Sequence, residues 1–241
     1  MFAIKRIAVD HFRIPLPLAL SDSTHGEITH FGLVTVRLTD AQGREGLGYT
    51  YTVNNIGAAA VLKLIEQDLA ESILSSSSDS IEAFWEEMWW HVHFVGRGGL
   101  AAFAMAAVDI ALWDLRAKTA NKALWRLLGG DSREVKAYAG GIDLDFTLDQ
   151  LLAQAEGFLA QGFQAIKMKV GRDVLEQDID RVQAMRKFVG SDFPLMADAN
   201  MRWTVDQAVK AATALASCGL YWLEEPVIPD DFIGHARVQS V

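Results

Sequence analysis

The segment AIKMKV (165–170) combines a strand-like pattern with two lysines. Successive side chains of a β-strand point to opposite faces, so Lys167 and Lys169 share one face and the apolar residues share the other. The apolar face is typical of a strand that packs against helices. The lysine face needs polar surroundings, so the segment favours a fold that provides them.

The segment belongs to a repeat of strands and helices. Strand-like segments begin near Val135, Gln164, Leu195 and Tyr221, at steps of 29, 31 and 26 residues (164−135, 195−164 and 221−195). Amphipathic helical patterns lie between them, at about 148–160, 174–188 and 205–217. A strand–helix–strand repeat of this length is typical of βαβ units with parallel strands.

Two architectures use such units, the doubly wound sheet and the (β/α)8 barrel. No G-x-G-x-x-G loop follows a strand, which disfavours a doubly wound dinucleotide fold. Barrel enzymes build their active sites at the C-terminal ends of several strands. The polar residues occur late in each strand-like segment, as Lys167/Lys169, Asp198/Asn200 and Glu224/Glu225. This pattern favours the barrel.

Residues 1–130 have a different pattern, which predicts an α+β domain. Strand-like segments occur at 4–13, 32–39 and 46–52, and helical patterns at about 58–74, 80–91 and 99–117. The polar segment Pro15–His30 is predicted to be a long loop. The pattern therefore predicts an α+β N-terminal domain (1–130) followed by an α/β domain (131–241) with four strands, the first half, of a TIM-type (β/α)8 barrel.

The composition excludes several classes of protein. The chain has 241 residues, a net charge of −9 and one cysteine, so a nucleic-acid surface, a disulfide framework and a thiolate metal cluster are disfavoured. The N-terminus has no signal-peptide pattern, and no apolar stretch approaches the roughly 20 residues of a membrane span. We expect a cytoplasmic protein that forms a homo-oligomer and binds neither membranes nor nucleic acid.

The strand ends predict a metal site beside a lysine base. Neighbouring strands lie about 4.8 Å apart, so Asp198 and Glu224 can bring two carboxylates onto one ion. Mg²⁺ prefers such oxygen ligands. A second ammonium group and partial burial lower the pKa of a lysine, so Lys167 and Lys169 can each make the other a better base.

Each element also has a simpler interpretation. Two lysines on one strand are more often a solvated edge, DAN (198–200) is more often a turn or helix cap, and EEP (224–226) often just ends a strand. Three consecutive strands that end in Lys, Asp and Glu at the same phase of one repeat are harder to explain in this way.

The motif set resembles the enolase superfamily, in particular its mandelate racemase/muconate lactonizing enzyme branch. The matching segments are IKMKVG (166–171), PLMADANMRW (194–203) and YWLEEP (221–226), together with VGRGGLAAFAMAAVDIALWDLRAK (95–118), which is similar to the helix that joins the capping domain to the barrel. The resemblance covers nearly the whole chain. It implies abstraction of the proton α to a carboxylate, with Mg²⁺ stabilising the resulting charge.

By this resemblance, Lys169 is the base, and Lys167 contacts the substrate carboxylate beside it. Asp198 and Glu224 are the first two metal ligands, and Asn200 contacts the substrate or the ligand shell. Capping-domain loops, 21–30 and 49–55 in this chain, help to select the substrate in the family. His25 is the substrate-binding candidate on the first loop, with a water-facing loop histidine as the equal alternative.

The family pattern requires a third carboxylate ligand and an opposing acid or base on later strands. Only 107 residues (241−134) follow residue 134, whereas a whole barrel takes about 250. We therefore expect a chain that is truncated after the fourth barrel strand and has negligible turnover alone. The similarity is nearest to acid-sugar dehydratases, so we predict dehydration of an acid sugar. A racemase or epimerase of a 2-hydroxy acid is the alternative.

Two hypotheses from other functional classes stay open. An aldolase that forms a Schiff base would also place a lysine on a barrel strand, although it would not need Asp198 and Glu224. A catalytically inactive fragment would keep the fold without the chemistry.

Overall fold

The computed structural model describes residues 3–78 and 80–241, which form two compact units. One unit contains the residues before Ala19 together with Thr29–Glu134. The other contains Ala19–Ile28 and Val135–Val241. A short segment from the N-terminal part of the sequence therefore belongs to the second unit. No helix in the described ranges is long and apolar enough to cross a membrane.

The first unit is built on a three-stranded sheet in the order β1-β2-β3. Its strands are β1 (Ile4–Asp22), β2 (Gly26–Asp40) and β3 (Glu45–Val53), and β2 and β3 are antiparallel. The Asp40 carboxylate accepts hydrogen bonds from the backbone N–H groups of Gln42 and Arg44, both at 2.9 Å, and thereby closes the turn between β2 and β3. This turn lies between the predicted strand-like segments 32–39 and 46–52.

The predicted loop Pro15–His30 is wrong, because β1 and β2 extend through most of it. Only Ser23–His25 remain as the turn between the two strands. Pro15 and Pro17 lack the N–H group that a central strand needs, but β1 lies at the edge of its sheet, where proline is tolerated. The polar composition of the segment reflects exposure, not the absence of a strand.

Helices cover one side of this sheet. They are α1 (Ala58–Lys63), α2 (Ala70–Ser75), α3 (Ile81–Val92), α4 (Leu100–Thr119) and α5 (Leu124–Leu127), with a π-helical segment (Leu64–Leu69) between α1 and α2. Helix α4 lies directly on β3, where Gly46 and Gly48 face it. A Cβ atom on Gly48 would overlap the carbonyl oxygen of Ala107, and one on Gly46 would overlap that of Ala111. The two glycines therefore allow the helix backbone to touch the strand.

The second unit contains a four-stranded parallel sheet in the order β4-β5-β6-β7, the order of the strands in the chain. Its elements are β4 (Ala139–Gly140), α6 (Leu148–Ala160), β5 (Ile166–Lys169), α7 (Leu175–Val189), β6 (Leu195–Asp198), α8 (Val205–Leu215), β7 (Leu223–Glu224) and α9 (Phe232–Gln239). Sequential strands that pair as neighbours, each followed by a helix, form part of a (β/α) barrel. The predicted architecture is confirmed.

The hydrophobic core of the second unit lies between this sheet and its helices. Ile166, Met168 and Val170 are buried there, against apolar residues of α6, α7 and α8. The apolar face of β5 therefore packs on the helical layer, as its alternating pattern predicted. The lysines of the same strand point to the opposite face.

The contact between β3 and α4 can be tested with a single added methyl group. We expect Gly48→Ala to reduce the free energy of unfolding by about 3 kcal/mol, the upper range for overpacking, because the atom that it strikes is backbone and cannot rotate away. Urea denaturation measures the change. Gly98→Ala is the matched control, since nothing lies within 4 Å of its new Cβ atom, and we expect a change of at most about 0.5 kcal/mol. Equal stability of the two variants would refute the close contact.

Candidate active site

The register of the parallel sheet places the candidate site residues side by side. Lys169 at the end of β5 pairs with Asp198 at the end of β6, and Asp198 pairs with Glu224 at the end of β7. Lys167 lies two residues before Lys169 and therefore shares its face. Three consecutive strands thus present their last polar side chains at the same level of the sheet.

These four side chains form one cluster of ion pairs. The ammonium group of Lys169 donates a hydrogen bond to Oδ2 of Asp198 at 2.8 Å. The ammonium group of Lys167 lies 3.3 Å from the same oxygen and 2.6 Å from Oε1 of Glu224. The indole N–H of Trp222 donates to the other oxygen of Glu224 at 2.9 Å. Each charged group has a partner of opposite sign.

Lys167 is held in its protonated form. Burial lowers its pKa, but the hydrogen bond to Glu224 and the negative charges of Asp198 and Glu224 outweigh burial and raise the pKa above the usual value for lysine. The ring of Tyr138 adds a cation–π contact at 5.5 Å. The expectation that its lysine neighbour lowers the pKa is therefore wrong for Lys167. A protonated Lys167 is suited to binding an anion.

Asn200 follows β6 in a strained conformation. Its φ angle is 46°, in the left-handed region that few non-glycine residues adopt, and Glu225 has a φ angle of 43°. The backbone N–H of Asn200 donates to Oδ1 of Asp198 at 2.9 Å, and its side-chain amide donates to Glu225 at 3.4 Å. The side-chain oxygen of Asn200 is buried and has no partner. That oxygen is therefore an unused hydrogen-bond acceptor.

His25 lies in the three-residue turn between β1 and β2. Its ring Nδ1 is 2.8 Å from Oδ2 of Asp22, whose Oδ1 accepts the backbone N–H groups of Thr24 and His25. Burial raises the pKa of Asp22, but these hydrogen bonds lower it further than burial raises it, so the carboxyl stays ionised. The His25 side chain is 42% exposed. Its orientation is therefore fixed by a carboxylate while one edge of its ring stays accessible.

The turn that carries His25 is attached to the loop after β6. The hydroxyl of Ser23 donates to the carbonyl oxygen of Ala199 at 2.8 Å, and the hydroxyl of Thr24 donates to the carbonyl oxygen of Asn200. These bonds hold the turn that carries His25 against the backbone that follows Asp198. Among the described residues, however, the ring of His25 makes no hydrogen bond to any of the other five candidates.

A buried charged network beneath the cluster was missed by sequence reasoning. Oδ1 of Asp143, in the loop after β4, accepts the backbone N–H of Lys169 at 3.0 Å. Arg181 on α7 donates to the carbonyl oxygens of Asp143 (2.9 Å) and Phe146 (2.7 Å). Burial raises the pKa of the Asp143 carboxyl, whereas the N–H of Lys169 and the charge of Arg181 oppose this change.

One helical turn before Arg181, Asp178 is fully buried and accepts the backbone N–H groups of Gly171 and Arg172, both at 2.9 Å. The sequence held a signal for this network. Asp178 and Arg181 are three residues apart on the apolar face of α7, and buried charges in such a position are rarely without partners.

The oxygen atoms of the cluster match the preferences of a hard divalent cation. Asp198 and Glu224 already share one cationic atom, the Nζ of Lys167, so their carboxylates converge on a single position. The unpartnered oxygen of Asn200 is a further oxygen of the same type. Within the described ranges, no group of three His, Cys, Asp or Glu residues is arranged to hold a metal. The two carboxylates therefore fit as part of a ligand set.

Family models match both parts of the chain. Residues 4–129 match the mandelate racemase/muconate lactonizing enzyme N-terminal domain, and residues 150–241 match the enolase C-terminal domain-like family.

Characterised proteins and solved structures resemble the chain over nearly its whole length. It is 54% identical to 3,6-anhydro-alpha-L-galactonate cycloisomerase from Streptomyces coelicolor over 98% of this chain and 65% of that protein. It is 32% identical to L-talarate/galactarate dehydratase from Salmonella typhimurium over 94% of this chain and 58% of that protein. A racemase structure from S. coelicolor with bound magnesium superposes with a TM-score of 0.95 at 54% identity, covering 98% of this chain and 66% of that one.

The chain thus spans about two thirds or less of the length of these relatives. Within that span, its first unit matches the capping domain and its second unit matches part of the barrel. The chain therefore belongs to the mandelate racemase/muconate lactonizing enzyme branch of the enolase superfamily.

Proposed function

We propose that this chain is part of a Mg²⁺-dependent enzyme that removes the proton α to the carboxylate of an acid sugar. The observation that carries the proposal is the meeting of Lys167 and Lys169 with Asp198 and Glu224 at three neighbouring strand ends. The relatives support it, since they include an acid-sugar dehydratase and structures that contain magnesium. Homo-oligomer formation and a cytoplasmic location remain predictions.

The two lysines have different roles in this proposal. Lys167 binds the substrate carboxylate through its ammonium group, which the metal-free cluster places between Asp198 and Glu224. Lys169, in its neutral form, takes the α proton on Nζ. Its position at the end of β5 is fixed by the sheet on one side and by Asp143 on the other. A binder and a base thus act on the same substrate from one strand.

The oxygen ligands form the other half of the site. Asp198 and Glu224 would hold the Mg²⁺, and this requires Lys167 to leave its position between them. When bound, Mg²⁺ supplies Lewis-acid stabilisation for charge on carboxylate oxygens. Asn200 and His25 would contact the hydroxyl groups of the substrate. The unpartnered oxygen of Asn200 accepts a hydrogen bond, and the exposed edge of His25 can donate or accept one.

The step after proton removal distinguishes the candidate reactions. If the oxygen on the β carbon leaves as a free hydroxyl, water is lost and the reaction is a dehydration. If that oxygen belongs to a ring ether, as in a 3,6-anhydro acid, the same elimination opens the ring without loss of water and the reaction is a cycloisomerisation. We propose dehydration as the reaction. The 54% identity to a cycloisomerase of a 3,6-anhydro acid makes cycloisomerisation the second candidate.

The base can be identified by hydrogen exchange at the α carbon. In D₂O with Mg²⁺, the full-length enzyme that contains this chain is expected to incorporate deuterium into an acid sugar. Lys169→Ala is expected to slow incorporation by about 10²–10⁴-fold, the range for loss of a general base. NMR of the substrate measures the rate. Lys210→Ala is the control, because Lys210 is an exposed residue of α8. Unchanged exchange in Lys169→Ala would refute the assignment.

The same assay, run on a panel of aldonates, aldarates and 3,6-anhydro acids, separates the reactions by their products. A 2-keto-3-deoxy acid formed from an open-chain substrate indicates dehydration, and one formed from an anhydro substrate indicates cycloisomerisation. Exchange without any keto product would instead support the racemase or epimerase alternative.

The metal site makes a separate prediction that needs no turnover. We expect Asp198→Asn to weaken Mg²⁺ binding by more than about 100-fold, since loss of an outer-shell partner alone costs about 10–100-fold. Isothermal titration calorimetry measures the affinity. Asp206→Asn is the control, since Asp206 is on the exposed surface of α8 and its side chain is 73% exposed. Equal affinity of Asp198→Asn and the unchanged protein would place the metal elsewhere.

A further inference from the structure

The edge of β5 that faces β4 is only partly covered by that strand. β4 pairs with β5 at Ala139 and Gly140, and the N–H of Gly141 donates to the carbonyl oxygen of Lys167 at 2.8 Å. The next backbone donor on this edge is the N–H of Lys169, two residues further along. A longer β4 would supply a backbone carbonyl there. In this chain the Asp143 carboxylate takes its place, at 3.0 Å.

A buried carboxylate is a costly replacement for a neutral carbonyl, because it must be stabilised by other groups. Asp143 is 1% exposed, and the guanidinium group of Arg181 lies 3.4 Å from its Oδ1. Arg181 also binds the carbonyl oxygens of Asp143 and Phe146, so it fixes the chain that carries the carboxylate. The loop after β4 and helix α7 thus act together, through the Asp143 carboxylate, on the backbone N–H of Lys169.

That residue carries the proposed base. The opposite edge of β5 is held by β6, where Lys169 pairs with Asp198 and the N–H of Val170 donates to the carbonyl oxygen of Asp198 at 2.9 Å. The Lys169 ammonium in turn reaches Oδ2 of Asp198. A shift of about 1 Å in a catalytic group can reduce the rate by about 10²-fold, so the fixed backbone matters to the chemistry.

Gly141 keeps this arrangement possible. A Cβ atom at this residue would overlap Oδ2 of Asp143 and come within 2.6 Å of Oε1 of Gln154. Glycine at this position therefore leaves room for the carboxylate. A methyl group there would displace Asp143 without changing its chemistry.

We propose that Asp143, held by Arg181, is a positioning residue that fixes the backbone of Lys169 where β4 ends. The inference rests on the proposed function of Lys169 as the base. The relevant contact is with the main chain of Lys169, so Asp143 acts through this residue and does not touch the substrate.

Residue-resolved hydrogen exchange by NMR tests the contact directly. In Asp143→Ala, exchange of the Lys169 amide is expected to rise by about 10-fold, the factor for loss of one hydrogen bond to a charged group, while the Val170 amide keeps its rate. Asp143→Asn keeps an acceptor oxygen and is expected to restore most of the protection. Gly141→Ala is expected to behave like Asp143→Ala, whereas Gly140→Ala is the matched control, with nothing within 4 Å of its Cβ.

Steady-state kinetics of the full-length enzyme then test whether Asp143 positions Lys169 for catalysis. We expect Asp143→Ala to lower kcat for α-proton exchange by about 10²-fold, with KM within about 2-fold, and Asp143→Asn to recover most of kcat. If Asp143→Ala does not fold, Gly141→Ala takes its place in both measurements, and Asp143→Asn remains the comparison that keeps an acceptor oxygen.

Three results would overturn the inference: an unchanged Lys169 amide, an unchanged kcat in Asp143→Ala, or equal losses in the Ala and Asn variants. Absence of exchange activity in the full-length enzyme that carries the unchanged residues would instead refute the proposed function. The NMR result would still show whether Asp143 fixes Lys169.

Discussion

The parallel register of β5, β6 and β7 is the constraint on which the candidate site depends. Lys169, Asp198 and Glu224 are each the last residue of a strand, and their pairing in the sheet sets them at one level. A shift by one residue in any of these strands would send its polar side chain to the apolar, helix-facing side. The buried apolar residues of β5 therefore fix the geometry of its lysines, because both sets depend on the same register.

Charge balance is the second constraint. Lys167, Lys169, Asp198 and Glu224 carry no net charge together, and their ion pairs are shielded from water to different degrees, with the Asp198 side chain 3% and the Glu224 side chain 33% exposed. A divalent cation adds two positive charges to this neutral set. Lys167 can leave its position or deliver its charge to an incoming carboxylate. Binding of the metal by Asp198 and Glu224 would therefore free the Lys167 ammonium group for an anionic substrate.

The sequence was sufficient to predict the barrel units and the convergence of the lysines with Asp198 and Glu224, since both follow from a repeat and its phase. It was not sufficient for the long β1–β2 hairpin, because exposed edge strands rich in Pro, Ser and Thr have the composition of loops. Asp143 was also missed. An aspartate two residues after a Gly-Gly pair is typical of an ordinary turn, and only the tertiary structure shows the N–H that it accepts.

The attachment of the hairpin tip has a consequence for the order of folding. The hydrogen bond from Ser23 to Ala199 joins residues that are 176 positions apart, and the second unit draws Ala19–Ile28 from a part of the chain made long before the rest. At about 5–20 residues per second, the ribosome needs about 9–35 s to make the intervening chain. During this time the Ser23 and Thr24 hydroxyls have no partner in the loop after β6. The turn that carries His25 can therefore reach its final place only late in synthesis.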